Sequence, residues 1–270
     1  MRNYAEETSA RVEYIRAYLK SSGARGIVYG NSGGKDSALV GILCKMACEN
    51  TVGIIMPCAS KRNYGMDKAD GLEVAEKFGI ETRTVDLTPV REAEMAALKG
   101  VTELTDMAVA NIAPRLRMTT LYAVAHAEGR VVAGTGNASE GYVGYFTKWG
   151  DGAYDFNPIA DLTVGEIYAF LEYLDAPRAV IEKAPSAGLF EGQTDESEMG
   201  ISYADIDKVV LGGEIDPAVR AKIERMHAAS PPATASKAQN PRRRPDGRRC
   251  FFVPWFWSFK DQLVFERRGR

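Results

Sequence analysis

Apolar residues recur along this chain at two alternating periods. Between residues 3 and 21 they lie three and four apart, with Tyr4, Val12, Ile15, Tyr18 and Leu19 near one face, which predicts an amphipathic helix. The unbroken apolar run at 26–30 predicts a buried strand, and a helix at 37–48, a strand at 51–56 and a helix at 67–78 follow. Residues 80–87 read as a third strand, 106–128 as a long helix, and 130–134 as a fourth strand running into the turn Gly134-Thr135-Gly136-Asn137. Parallel strands joined by helical crossovers make an α/β fold: a Rossmann-like parallel sheet with helices on both faces. Ligands of such sheets gather beyond the carboxyl ends of the strands, so the segment after the first strand and the turn after the fourth are expected side by side.

Past residue 150 the pattern weakens. Helices are predicted at 164–174 and 203–210, and the polar, glycine-bearing stretch 186–200 between them reads as a mobile loop of the kind that excludes water from a reactive intermediate. From residue 230 the chain is rich in Pro, Ala and Arg, and the chain divides into one domain at 1–240 and a tail at 241–270. Residues 240–270 hold nine basic and three acidic side chains, a net of +6, and six aromatics fall within 250–259. That composition favours a segment wrapped on the body of the protein or on a partner subunit, with a basic aromatic membrane-surface anchor and disorder as the alternatives.

Composition narrows the function. The 270 residues carry a formal charge of -2, which argues against a nucleic-acid binder. No apolar run approaches the roughly 20 residues of a membrane span, and no apolar block marks a signal peptide, so a cytoplasmic protein is expected. Cys44, Cys48, Cys58 and Cys250 show no zinc spacing, and Cys44 and Cys48 are expected to pack in the core.

The chemistry concentrates in Ser32-Gly33-Gly34-Lys35-Asp36-Ser37, between a strand and a helix. Adjacent glycines let the backbone approach a ligand closely, and the helix start offers unpaired N–H groups that suit a phosphate. A Walker loop needs Gly-Lys followed by Ser or Thr, whereas Asp36 follows Gly34-Lys35 here. The bland reading is a glycine turn that only joins strand to helix. The pattern Ser-Gly-Gly-x-Asp-Ser instead resembles the pyrophosphate loop of the N-type ATP pyrophosphatases.

Further motifs sharpen the resemblance. They are Asn111 to Met118, Gly134-Thr135-Gly136-Asn137-Ala138-Ser139-Glu140, the stretch from Gly144 to Gly152, Asp155 to Asp161, and Asp195 to Tyr203. With the Ser32 loop, and in this order, they resemble the short, ammonia-dependent NAD synthetases. That resemblance implies a ligase that adenylates the nicotinate carboxylate of deamido-NAD with ATP and amidates it with ammonia, giving NAD, AMP and pyrophosphate. It implies that Gly30, Asn31, Ser32, Gly33, Gly34, Lys35, Asp36 and Ser37 hold ATP together with Thr135 and Ser186. Arg115, Lys148, Asp155 and Lys237 match deamido-NAD positions, and Asp36 and Glu140 match magnesium ligands. Tyr145 and Phe146 are candidates to stack on the nicotinate ring, with core packing as the plainer role of at least one. A homodimer is implied as well, and neither His126 nor His227 falls in a motif. Two departures stand out: Val164 replaces a lysine that contacts ATP, and Ser236 precedes Lys237 where a histidine is usual. An ATP pyrophosphatase acting on tRNA or a nucleobase, and a nucleotide-binding homologue without catalysis, remain as alternatives.

Overall fold

The computed structural model describes residues 2–59, 65–183 and 194–230. Asn3 opens α1 (Tyr4–Ser22) by accepting from the Ala5 and Glu6 amides, and Gly23 closes it in the left-handed region at φ 68°. Four strands follow along the chain: β1 (Gly26–Gly30), β2 (Thr51–Ile55), β3 (Glu81–Thr84) and β4 (Arg130–Ala133). They form one parallel sheet in the order β3-β2-β1-β4, with Ile27 opposite Thr51 and Val131. Crossovers are made by α2 (Lys35–Ala47), α3 (Met66–Phe78) and then α4 (Thr88–Leu98), α5 (Asp106–Ala110) and α6 (Ile112–Glu128). After β4 come α7 (Ala138–Val143), α8 (Val164–Tyr173), α9 (Arg178–Ile181), α10 (Asp195–Met199), α11 (Tyr203–Val210) and α12 (Pro217–Ala229).

The period of two along β1 sorts its side chains between two cores. Ile27 and Tyr29 pack with Ile15 of α1, Leu39 and Leu43 of α2 and Phe170 of α8, whereas Val28 packs with Val52, Ile54 and, from α6, Leu121 and Ala125. Helices therefore cover both faces, as the apolar pattern predicts. The Tyr29 ring needs glycines around it: a Cβ on Gly41 would lie 2.3 Å from its hydroxyl, and one on Gly53 3.0 Å. Cys44 is buried in the first of these cores. A third apolar cluster joins Val143, Val164, Tyr203, Ile206 and Ile223, from α7, α8, α11 and α12.

Several elements differ from the sequence expectation. The helix expected over 106–128 is two, broken at Asn111, because Pro114 has no N–H to give the Ala110 carbonyl. The strand expected over 80–87 is shorter, although Val85 and Leu87 still donate to Ile55 and Pro57 at 2.9 and 2.8 Å. α4, for which the sequence pattern predicts no element, buries none of its residues. Of the loop expected over 186–200, residues 195–199 are helical, with Thr194 as their N-cap. No described helix is long and apolar enough to cross a membrane.

Candidate functional site

β1 ends at Gly30 and α2 starts at Lys35, so residues 31–34 form a loop at the carboxyl edge of the sheet. Gly33 has φ 70°, and a Cβ there would lie 2.0 Å from the Asp67 carbonyl oxygen of α3. Only glycine fits that close approach. Asn31 is buried and holds the loop down: its side-chain amide donates to the Gly71 carbonyl at 3.0 Å, and its Oδ1 accepts from the Gly33 N–H at 3.3 Å. Its own N–H donates to Ile54 at 2.9 Å. The hydroxyls of Ser32 and Ser37 lie 3.0 Å apart, and they accept from the N–H groups of Gly34 and Ser32, each at 3.3 Å.

Asp36 follows the loop in the first turn of α2. Its Oδ2 pairs with Lys35 Nζ at 2.8 Å, and its Oδ1 accepts from the Asn137 side chain at 3.0 Å. Asn137 is also the N-cap of α7, in a reciprocal box with Glu140: Asn137 Oδ1 accepts from the Glu140 N–H at 2.9 Å, and Glu140 Oε2 from the Asn137 N–H at 3.1 Å. One asparagine thus joins two acids that are 104 residues apart in sequence. Burial, and then the Asp36 charge, push the Glu140 carboxyl up to about 8. Burial pulls the Lys35 ammonium down, but Asp36 and Glu140 together raise it above its ordinary value.

The turn after β4 is braced from below. The Gly134 N–H donates to Phe156 at 2.8 Å, the Asn157 side chain to Gly136 at 2.8 Å, and the Ala138 N–H to Leu162 at 2.8 Å. Loop, turn and α3 enclose a cleft of about 490 Å³. Thr135, Asp36, Glu140 and every loop residue from Gly30 to Ser37 except Gly33 line it. Tyr145 and Phe146 line it too, and the Tyr145 hydroxyl donates to Asp195 Oδ1 at 3.2 Å and Glu198 Oε2 at 2.8 Å.

The other expected substrate residues lie elsewhere. Arg115 and Lys148 are exposed neighbours outside the cleft lining, with Arg115 Nε donating to the Lys148 carbonyl at 3.3 Å. Asp155 accepts from the Val132 N–H at 2.7 Å and the Tyr122 hydroxyl at 3.2 Å, also outside the lining. Val164 is buried in the third apolar cluster and does not line the cleft. Ser186, Ser236, Lys237 and the tail lie outside the described residues.

Sequence reasoning missed Asn137, Arg117 and Lys183. The spacing of Asn137 and Glu140 is that of a capping box, so the first was readable. Arg117 lines the cleft and donates to the Met56 carbonyl at 3.1 Å, and its pKa is lowered by burial. Lys183, a single charge after a short helix, leaves no signal in sequence.

Comparison with known proteins places the chain in a family. A family model described as NAD synthase matches residues 7–233. The NH(3)-dependent NAD(+) synthetase of Carboxydothermus hydrogenoformans is 45% identical over 231 residues, covering 84% of this chain and 94% of that one. Among solved structures, an NMN synthetase from Francisella tularensis superposes with a TM-score of 0.80 at 34% identity, covering 95% of this chain and 100% of that one. The NAD+ synthetase of Burkholderia pseudomallei does so with a TM-score of 0.71 at 33% identity, covering 85% and 89%.

Proposed function

Because the chain belongs to the NAD synthase family, we propose that its cleft is where ATP meets the nicotinate carboxylate of deamido-NAD. The chain is an ATP-dependent, amide-forming ligase that makes NAD. A carboxylate resists attack because a nucleophile would add charge to an anion. Its oxygen therefore attacks the α-phosphorus of ATP, pyrophosphate leaves, and ammonia then displaces AMP from the acyl adenylate, losing a proton as the amide forms.

The observation that carries this assignment is the convergence of loop 30–37, Asp36 and Glu140 on one cleft. Backbone N–H groups of the loop hold the phosphates, each charge-assisted bond contributing on the order of 1.5–3 kcal/mol. Lys35 is fixed beside Asp36 and adds positive charge at the base of the loop. Magnesium fits the donor set: two carboxylates linked by Asn137, one of them raised by burial and then by the charge of the other, complete a hard-cation site once phosphate oxygens and water are added. Asp36 and Glu140 would hold the ion, which draws charge off the phosphates when bound. Thr135 donates to ATP from the turn opposite the loop. Tyr145 and Phe146 form an apolar wall for the nicotinate ring.

Arg115, Lys148 and Asp155 belong to the dinucleotide site in this reading. Their position outside the cleft of one chain favours a homodimer in which a second subunit completes that site. The compartment is the cytoplasm.

A second acceptor has one observation in its favour. The Francisella tularensis protein, an NMN synthetase, covers this chain almost end to end. Nicotinate mononucleotide carries the same carboxylate and needs the same chemistry.

The test is product formation from ATP, magnesium and ammonium with either deamido-NAD or nicotinate mononucleotide, in the wild type and in Asp36→Ala. NAD formation that falls at least a hundredfold in a folded Asp36→Ala protein is expected. Background rates from folded wild type with both acceptors would refute the assignment, and a higher kcat/KM with the mononucleotide would select the second reading.

A further inference from the structure

Lys183 follows α9 and reaches into the cleft beside the phosphate loop. Its Nζ donates to the Gly33 carbonyl at 3.1 Å and pairs with Asp67 Oδ1 at 2.7 Å and Asp70 Oδ2 at 2.6 Å. An ammonium has three N–H donors, so these three partners saturate it. Asp67 and Asp70 lie three apart on α3 and therefore share a face. Gly33 is pressed on the same helix, with the Asp67 carbonyl too near for any side chain. Lys183 thus stands where the loop, α3 and the chain after α9 meet.

The charges at this junction need an explanation. Two carboxylates beside a polyphosphate loop repel its ligand, unless they serve to hold a cation. The ammonium they hold has one neutral partner, the Gly33 carbonyl, and that is the cheapest of the three to exchange. A phosphate oxygen in its place sets a full negative charge against the ammonium, where the carbonyl offers only a dipole. Val164 is buried in the third apolar cluster and offers no charge to the cleft, and Lys35, which lines it, is engaged by Asp36.

We propose that Lys183 is a phosphate-binding cation of the ATP site, held in readiness by Asp67 and Asp70 and exchanging the Gly33 carbonyl for a phosphate oxygen of the nucleotide. This rests on the reading of the cleft as the ATP site. Asp67 and Asp70 are positioning residues that act through the lysine.

The test is calorimetric binding of ATP with magnesium, which needs no turnover, alongside steady-state kinetics. Lys183→Gln removes the charge but keeps a hydrogen-bond donor for the loop, and Lys183→Arg restores the charge. In Lys183→Gln the Kd and KM for ATP rise about tenfold or more, the KM for deamido-NAD stays within twofold, and the salt dependence of ATP binding becomes shallower. Lys183→Arg recovers part of the loss. An ATP Kd within twofold of wild type in folded Lys183→Gln, whatever its melting temperature, overturns the proposal and leaves a structural clamp. Lys183→Met is read in the same way if the glutamine variant does not fold. Wild type that binds no ATP refutes both this and the ATP site. Wild type that binds ATP but forms no NAD refutes only the assigned reaction.

Discussion

Glu140 shows how one side chain can serve the fold and a candidate metal site together. Its Oε2 accepts from the Asn137 N–H and completes the cap of α7, and the same carboxylate faces Asp36. A capping glutamate and a metal-binding glutamate are therefore compatible readings of one residue, not competing ones. The cost of that placement is electrostatic. Burial, and then the Asp36 charge, raise the Glu140 carboxyl from the 4.5 of a free glutamate to about 8. In metal-free protein the folded state therefore binds more protons than the unfolded chain between those values, and stability falls as pH rises through that window. Melting curves of metal-free protein at pH 5 and pH 8.5 are expected to show this loss. The loss shrinks in Glu140→Gln, which can still cap α7 but does not ionise. If Glu140 holds magnesium as proposed, the metal competes with the same proton, so the magnesium concentration needed for half-maximal activity falls as pH rises from 6.5 to 8.5. A magnesium requirement independent of pH would place the metal elsewhere.

At the scale of elements, strand β1, the phosphate loop and helix α2 form the unit that carries the site, and its two adjacent glycines are not equivalent. Gly33 has φ 70° and touches the Asp67 carbonyl, whereas a Cβ on Gly34, at φ -100°, would meet nothing closer than the Ser32 hydroxyl at 3.3 Å. Gly33→Ala combines left-handed strain with a clash against helix backbone and is expected to cost about 2–3 kcal/mol and to weaken ATP binding more than tenfold. Gly34→Ala is expected to cost under about 1 kcal/mol, as the Ser32 hydroxyl can rotate. Denaturant melts and ATP titrations of the two variants check the contrast. The sequence motif contains both glycines and cannot rank them, because the difference comes from α3 packing 34 or more residues further on. The same limit explains what else was legible. Strands with unbroken apolar runs, such as residues 26–30, and helices with a buried stripe, such as residues 4–22, announce themselves. α4, with no buried residue, does not, and the break at Asn111 depended on one missing N–H at Pro114. Asp36 and Glu140 were readable because their motifs are distinctive, whereas the contacts of Lys183 come from tertiary placement alone.

Over the whole molecule, the turn after β4 rests on a brace between the N-terminal helix and the segment that follows the turn. The segment from Asp155 to Thr163 supports the turn that carries Thr135 and Glu140, and it is itself gripped by α1. Arg11 makes a two-pronged contact to Asp161, at 2.7 and 3.1 Å, and a further bond to Glu7 at 2.8 Å. Arg2 adds Asp161 at 3.2 Å and Glu166 of α8 at 2.7 Å. Burial alone would raise the Asp161 carboxyl, but the Arg11 hydrogen bonds and charge, followed by the Arg2 charge, outweigh it and hold the group below its ordinary 3.8. A depressed carboxyl stabilises the fold above its unfolded value, and that stability is lost as pH falls through the folded one. The window is therefore below about pH 4, well away from that of Glu140. Asp161→Asn keeps the shape but loses the charge, and is expected to cost about 2 kcal/mol at pH 7. For a chain of this size that lowers the melting temperature by roughly 5 °C. Between pH 5 and pH 3 the variant should then lose less stability than wild type, since the group that wild type must protonate is gone. Equal acid sensitivity in the two proteins would show that α1 is held to the body by its apolar face and not by this network.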